Sequence, residues 1–391
     1  MELKNKDQKY IANTYARFPL EIVKGEGSVC YDENGKKYID LSTGIAVNTF
    51  GFCDKAWQEA ITEQIGTLQH TSNLFYTNPC AELAEMLCER TGMKKVFFSN
   101  SGAEANECAI KTARKYAFDK YGDYSHNTVI TLKNSFHGRT LATLAATGQD
   151  VFHTTFGPFP EGFVYAEANN PESLKEVAEN NNCCAIMFEI VQGEGGVCPL
   201  TKEFVETIIE TAEKYGLLLI CDEVQTGNGR TGELYSYMNY GFTPDIVSTA
   251  KGLAGGLPLG ATLLGEKVEN TLTPSSHGST FGGNPVCCAA AKSIISRIDD
   301  ELLSEVKAKS KYIIDEMSGA EGVKSVSGLG FMIGIETEKE AKDIIAGCRE
   351  KGLLVISAKT KVRLLPALNI EWDTLKEAIE ILKDCCKGEN K

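Results

Sequence analysis

The stretch Pro244-Asp245-Ile246-Val247-Ser248-Thr249-Ala250-Lys251-Gly252-Leu253-Ala254-Gly255-Gly256-Leu257-Pro258-Leu259 decides how this chain folds. Residues 245–249 read as a short buried strand, too brief and too apolar for a surface one. Lys251 comes just past its end, followed by glycines at 252, 255, 256 and 260. Most lysines in a loop are simply solvated. A lysine shut into an apolar site instead loses hydration, drops below its usual pKa of about 10.4 and presents a free amine for Schiff-base chemistry. Both readings are open on this stretch alone.

The same strand-turn-helix pattern recurs on both sides of this stretch. A strand over 96–98 runs into Asn100-Ser101-Gly102-Ala103-Glu104-Ala105-Asn106, which opens a helix to about residue 120. Strands are expected over 129–132, 185–188, 217–221 and 261–264, with an amphipathic helix over 204–215. Short runs buried on both faces and alternating with helices predict an α/β fold with a mostly parallel sheet. A further helix after Pro285 ends near Ile298, where the spacing places a boundary. Beyond it, helices over 302–317, 338–351 and 374–386 alternate with strand-like runs over 328–335 and 362–365, the pattern of a smaller α+β unit. Asn34-Gly35 is a strong hairpin signal in an antiparallel piece near the N-terminus. The expected division is an N-terminal segment 1–50 joining the small domain, a large domain 51–298 and a C-terminal small domain 299–391.

Composition narrows the function. The formal net charge of -13 over 391 residues argues against a nucleic-acid surface. No apolar run approaches a membrane span of about 18 residues, and Met1 to Tyr10 has no apolar leader core. Fourteen cysteines lack the spacing of a metal or disulfide framework; three pairs are adjacent, at 183-184, 287-288 and 385-386. Free thiols in a reducing cytoplasm are expected, and no metal site.

Candidate chemistry sits at strand ends and helix starts. Ser101 and Glu104 form a capping box, and Gly102 lets a ligand reach the first-turn N–H groups, which favour a phosphate. A well-capped helix with no ligand fits the same residues. Asp222 ends the strand over 217–221, where α/β folds bind ligands; it is equally placed as a turn cap. Phe136 and Arg139 bracket His137-Gly138, with arginine a favoured carboxylate clamp and His137 read as a packed or hydrogen-bonded histidine. Gly193-Glu194-Gly195-Gly196 and Ser279-Thr280-Phe281-Gly282-Gly283-Asn284 are glycine-dense loops.

Together these pieces resemble the class III (ω-amino group) pyridoxal-phosphate aminotransferases. The resemblance runs through Gly44-Ile45-Ala46-Val47-Asn48, Asn100 to Asn106, Phe136-His137-Gly138-Arg139-Thr140, Gln192-Gly193-Glu194-Gly195-Gly196, Asp222-Glu223-Val224-Gln225-Thr226-Gly227, Gly229-Arg230-Thr231-Gly232-Glu233, Thr249-Ala250-Lys251 and Arg363-Leu364-Leu365-Pro366-Ala367-Leu368. It departs at Gly51-Phe52-Cys53-Asp54, where relatives have Gly-His and then His-Pro, and at Ile190, where a proline is common.

The resemblance implies the fold type I architecture, a seven-stranded sheet between helices plus a smaller domain, and pyridoxal 5'-phosphate as cofactor. Lys251 corresponds to the lysine that holds the cofactor aldehyde and then moves protons, and Asp222 to the acid beneath the ring nitrogen. Gln225 corresponds to the partner of the ring's 3-oxygen, Phe136 and Val224 to the covers of the ring faces, and Ser101, Gly102 and Ala103 to the phosphate holders. Thr280 corresponds to a phosphate contact from a second subunit, so a homodimer with sites at the interface is implied. Arg139 and Arg363 correspond to carboxylate binders, Glu194 to the acid that pairs with Arg363, and Ser279 to a substrate contact. The implied reaction moves the δ-amino group of N2-acetylornithine to 2-oxoglutarate, giving glutamate, as in arginine biosynthesis. The small Gly44 leaves room for an acyl group. Succinylornithine, free ornithine and 4-aminobutyrate are the rival donors. An aminomutase, or a metabolite-binding protein in which Lys251 is incidental, are the rivals of other classes.

Overall fold

The computed structural model describes residues 2–388. Its centre is a seven-stranded sheet in the order Lys95–Ser99, Gly260–Leu264, Ile246–Thr249, Leu218–Asp222, Cys183–Phe188, Thr128–Leu132, Phe163–Ala166. Within it, Gly260–Leu264 runs antiparallel to both its neighbours. The remaining neighbours pair in parallel. This is the mixed α/β architecture expected, with an added edge strand at Phe163–Ala166 that is only partly buried over most of its length.

Every residue of Cys183–Phe188 and Leu218–Asp222 is buried. Alternate positions enter different cores: Ile186, Phe188, Leu219 and Cys221 join one apolar cluster, whereas Ala185, Met187, Leu218 and Ile220 join another. The period of two thus divides one apolar run between two covered faces, which explains the lack of polar alternation.

The helices start and stop where their side chains permit. Ser101 caps Gly102–Tyr121, and Gly122 ends it in a left-handed conformation. Thr201 caps Lys202–Tyr215, Asn284 caps Pro285–Ile295 and Asp299 caps Asp300–Met317, each accepting from first-turn N–H groups that would otherwise lack a partner.

A third core, including Ile39, Val306, Ile313, Ile333, Leu364 and Ile379, lies among Asp300–Met317, Ala341–Glu350, Trp372–Cys386 and a four-stranded sheet. That sheet is ordered Val323–Leu329, Met332–Thr337, Lys361–Leu364, Ile356–Ala358. The single strand expected over 328–335 is in fact a hairpin, because the chain reverses at Gly330 and Phe331. The N-terminal strands form a second four-stranded sheet, in which Lys37–Asp40 pairs in parallel with Leu353–Leu354. Thr43 Oγ1 donates to Leu365 O at 2.6 Å, and Arg230 donates to Pro366 O. These bonds fix the segment after Arg363 beside the large sheet.

All fourteen cysteines are free thiols, most of them buried. Among the described residues, no helix is long and apolar enough to cross a membrane, and no group of three or more His, Cys, Asp or Glu is placed to hold a metal ion.

Candidate active site

The carboxyl ends of the parallel strands gather the candidate residues, as the crevice rule for open sheets requires. Asp222 pairs with Ser248 of the next strand, three residues before Lys251. On its other side Cys221 pairs with Phe188, so Asp222 and Glu189 are the next pair of positions along those strands.

Asp222 is 2% exposed, and its carboxylate takes three hydrogen bonds, two on Oδ2 and one on Oδ1. Oδ2 accepts from Asn106 Nδ2 at 2.8 Å and from His137 Nδ1 at 2.7 Å, while Oδ1 accepts from Val224 N at 3.0 Å. Three donors compensate a negative charge that would otherwise be very costly to bury. His137 is itself fixed by its main-chain N–H, which donates to Thr147 Oγ1, and its ring Nε2 is buried without a partner.

Lys251 opens a short helical turn, Lys251–Ala254, with φ of +41°. A left-handed conformation at a residue other than glycine costs roughly 1–3 kcal/mol and is held by its surroundings. Here Gly252 O accepts from Thr49 Oγ1 at 2.7 Å, and Ala250 O accepts from Asn228 Nδ2 at 3.1 Å. No hydrogen bond or ion pair joins Lys251 Nζ to another described residue. Burial lowers its pKa to about 8; Glu194, Asp222 and Glu189 oppose that shift, and Arg363 assists it.

Arg363 is 2% exposed on strand Lys361–Leu364. Its Nη1 donates to Glu194 Oε1 at 2.6 Å and to Gln225 Oε1 at 3.1 Å, leaving Nε buried without a partner. Gln225 Nε2 in turn donates to Glu194 Oε1 at 3.3 Å. Burial pushes the Glu194 carboxyl up, but the Arg363 charge prevails and holds it below its ordinary value. Arg139 is different: it is exposed, with its guanidinium 5.4 Å from the Phe136 ring centre and 4.1 Å from that of Phe152. Two aromatic faces hold this cation without neutralising it.

At the helix start, Ser101 Oγ accepts from Glu104 N at 3.2 Å, and Glu104 reaches back to Asn100 N at 3.0 Å. The N–H groups of Gly102 and Ala103 have no acceptor among the described residues. A Cβ on Gly102 would lie 2.6 Å from Val224 Cγ1, so only glycine lets the helix start meet Val224 this closely. Ser279 lies near this corner, its Oγ accepting from Asn100 Nδ2 at 3.1 Å and Gly282 N at 3.0 Å. Thr280 is exposed and bonds to none of Lys251, Asp222 or Gln225.

A family model described as aminotransferase class-III matches residues 10–386. The chain belongs to the class-III aminotransferases. Acetylornithine aminotransferase from Haemophilus ducreyi is 48% identical over 383 residues, covering 97% of either chain. Succinylornithine transaminase from Citrobacter koseri is 40% identical over 389 residues, covering 97% of this chain and 95% of its own. Among solved structures, ornithine aminotransferase from Toxoplasma gondii superposes with a TM-score of 0.94 at 29% identity, covering 98% of this chain and 94% of that one. A second structure of that protein has pyridoxal phosphate at partial occupancy in its active site.

In this class-III aminotransferase, sequence patterns single out Lys251, Asp222, Gln225, Glu194 and Arg363, and the fold brings all five together. They do not single out Asn106 or Phe152, and they give His137 no partner. Asn106 faces Asp222 only because Gly102–Tyr121 crosses the strand end, and no local pattern marks that. Glu189 is likewise unmarked. It is buried, its Oε2 accepts from Phe136 N at 2.9 Å, and burial followed by the Asp222 charge pushes its pKa well above the ordinary carboxylate value.

Proposed function

We propose that this aminotransferase moves the δ-amino group of N2-acetylornithine to 2-oxoglutarate, with pyridoxal 5'-phosphate as cofactor, in arginine biosynthesis. The observation that carries the reading is the constellation of a lysine with its pKa lowered to about 8, a buried hydrogen-bonded aspartate and a helix start with two free N–H groups. These are the three chemistries that pyridoxal phosphate needs: an amine for its aldehyde, an acid for its ring nitrogen and donors for its phosphate. The residues present fit the group. In this reading Lys251, Asp222, Gln225, Phe136, Val224, Ser101, Gly102 and Ala103 hold it, with Thr280 contributed from a second copy of the chain. When bound, it supplies an aldehyde that captures amines and a ring that withdraws electrons from the carbon losing its proton.

The chain's own groups supply the rest. Near neutral pH a lysine of pKa about 8 is partly free amine, so Lys251 Nζ is suited to accept a proton and return it to a different atom. The donors on Asp222 hold its carboxylate in one orientation. Arg139, stacked but without an ion pair, is free to take a distal carboxylate. Arg363 is paired with Glu194 at 2.6 Å, and displacing that acid frees a guanidinium for the α-carboxylate of glutamate. One site therefore serves two substrates in turn, as a ping-pong cycle demands.

The donor assignment rests on Gly44 and on the acetylornithine relatives. A Cβ added at Gly44 would already touch Asn48 Nδ2 at 3.8 Å and Val47 Cβ at 3.9 Å, so the absence of a side chain there leaves that much more room for an acyl group. A homodimer is supported by the apolar surface around Thr280: Leu74, Phe75 and Tyr76 are largely exposed, and Phe281, also exposed, packs on His70. Free thiols fit a cytoplasmic enzyme. The proposed domains remain 1–50 with 299–391 as the small unit and 51–298 as the cofactor-binding one. A side-by-side assay of acetylornithine, succinylornithine, ornithine and 4-aminobutyrate with 2-oxoglutarate tests the reading. Acetylornithine is expected to have the highest kcat/KM; preference for ornithine or 4-aminobutyrate would make the donor assignment wrong.

A further inference from the structure

The proposed chemistry leaves Glu189 unused, although it stands beside Asp222 at the strand ends. The charged groups facing it are Asp222, Glu194 and Lys251. His137 on the neighbouring loop is committed to Asp222, and Arg363 to Glu194. Glu189 makes no ion pair with any described residue, and its carboxyl accepts from the Phe136 N–H. An ionised carboxylate so placed would be a buried charge next to another carboxylate, partly offset by Lys251 but held in no ion pair, a costly arrangement that protonation relieves. The Phe136 N–H needs only an acceptor oxygen, and a neutral acid has one.

We propose that Glu189 is a positioning residue that works as a neutral acid, fixing the main chain of Phe136, and with it the Phe136 ring and the Arg139 guanidinium, while adding no charge beside Asp222. Its value to catalysis rests on the aminotransferase reading above, whereas its protonation and its hold on Phe136 do not. The ring and the guanidinium follow the main chain because Arg139 stacks on Phe136 three residues away.

Glu189→Gln keeps the size and neutrality of the protonated acid, and Glu189→Ala removes the acceptor. The first measurement is denaturant unfolding of the cofactor-free protein against pH. A group protonated when folded and ionised when unfolded stabilises the fold most at low pH. This contribution is lost as pH rises from the ordinary carboxylate value of 4.5 through the raised one. Wild type should therefore lose stability relative to Glu189→Gln from about pH 5 upward, the ratio of their unfolding constants changing by up to about tenfold per pH unit. A ratio independent of pH overturns the proposal, as does failure of Glu189→Gln to fold.

The second measurement is hydrogen exchange at the Phe136 amide, expected to quicken in Glu189→Ala and to return to the wild-type rate in Glu189→Gln. Equal exchange in all three proteins overturns the positioning role. In amino-transfer assays Glu189→Ala should lower kcat/KM for 2-oxoglutarate about tenfold or more, with Glu189→Gln restoring it. Failure of the glutamine to restore it also overturns the proposal. Absence of amino transfer in the wild type would instead sink the functional reading and leave stability and exchange to decide the state of Glu189.

Discussion

Lys251 holds an unfavourable backbone conformation and a partly desolvated amine at the same place, as the nucleophile proposed above requires. Because burial lowers its pKa to about 8, the free amine should gain reactivity as pH rises through about 8 rather than through 10.5. Labelling the cofactor-free protein with an acylating reagent, with mass spectrometry on the Lys251 peptide, should give a midpoint near 8; a midpoint near 10.5 would mean the amine is solvated. Asp222→Asn should retain the fold yet lower kcat on the order of 10²-fold or more, since it removes a fixed charge from a buried site; kcat within a few-fold of wild type would show that the charge is not needed. Much of this is legible in the sequence, because Lys251, Asp222 and Glu194 each stand at a strand end or glycine loop that marks them. Glu189 has no comparable mark: its importance depends on two strands being in register and on which cations are already committed elsewhere.

At the scale of elements, the helix Gly102–Tyr121 and the strand Gly260–Leu264 must meet closely for Ser101 to face the crevice. A Cβ on Gly260 would lie 2.4 Å from Ser101 O, a backbone atom that cannot swing aside. Gly260→Ala should therefore destabilise the protein by about 1–3 kcal/mol, measured as a lower denaturation midpoint with unchanged slope. An unchanged midpoint would show that the strand and the helix start can separate without loss. Period-two runs and capping residues make most strands and helices readable in the amino-acid pattern itself. Several features escape it, among them the helix Pro171–Asn180, an edge strand and a hairpin turn. Phe163–Ala166 is an edge strand of four apolar residues, too short a run for periodicity to identify as a strand. The turn at Gly330 and Phe331 follows Val323–Leu329, a strand with few apolar residues, and the hairpin divides its side chains between two cores: Leu329 and Met332 on one, Val326, Ile333 and Ile335 on the other.

The whole molecule places the candidate site between the large sheet and the small one. Lys251 and Asp222 come from the large sheet and Arg363 from the small one, joined through the bonds of Thr43 and Arg230 to the segment after Arg363. Their meeting at Gln225 and Glu194 cannot be read from spacing, because it depends on how the two sheets dock. The exposed apolar surface around Phe75 and Phe281 should be covered by a second copy. Sedimentation equilibrium is expected to give the mass of two 42.5 kDa chains, and a monomer at assay concentrations would remove Thr280 from the proposed site. The most direct test of the central claim is the steady-state transfer of amino groups from acetylornithine to 2-oxoglutarate by Lys251→Ala. The variant is expected to unfold like the wild type and to show no steady turnover; turnover within about tenfold of the wild type, a barrier change of only about 1.4 kcal/mol, would contradict the role given to Lys251.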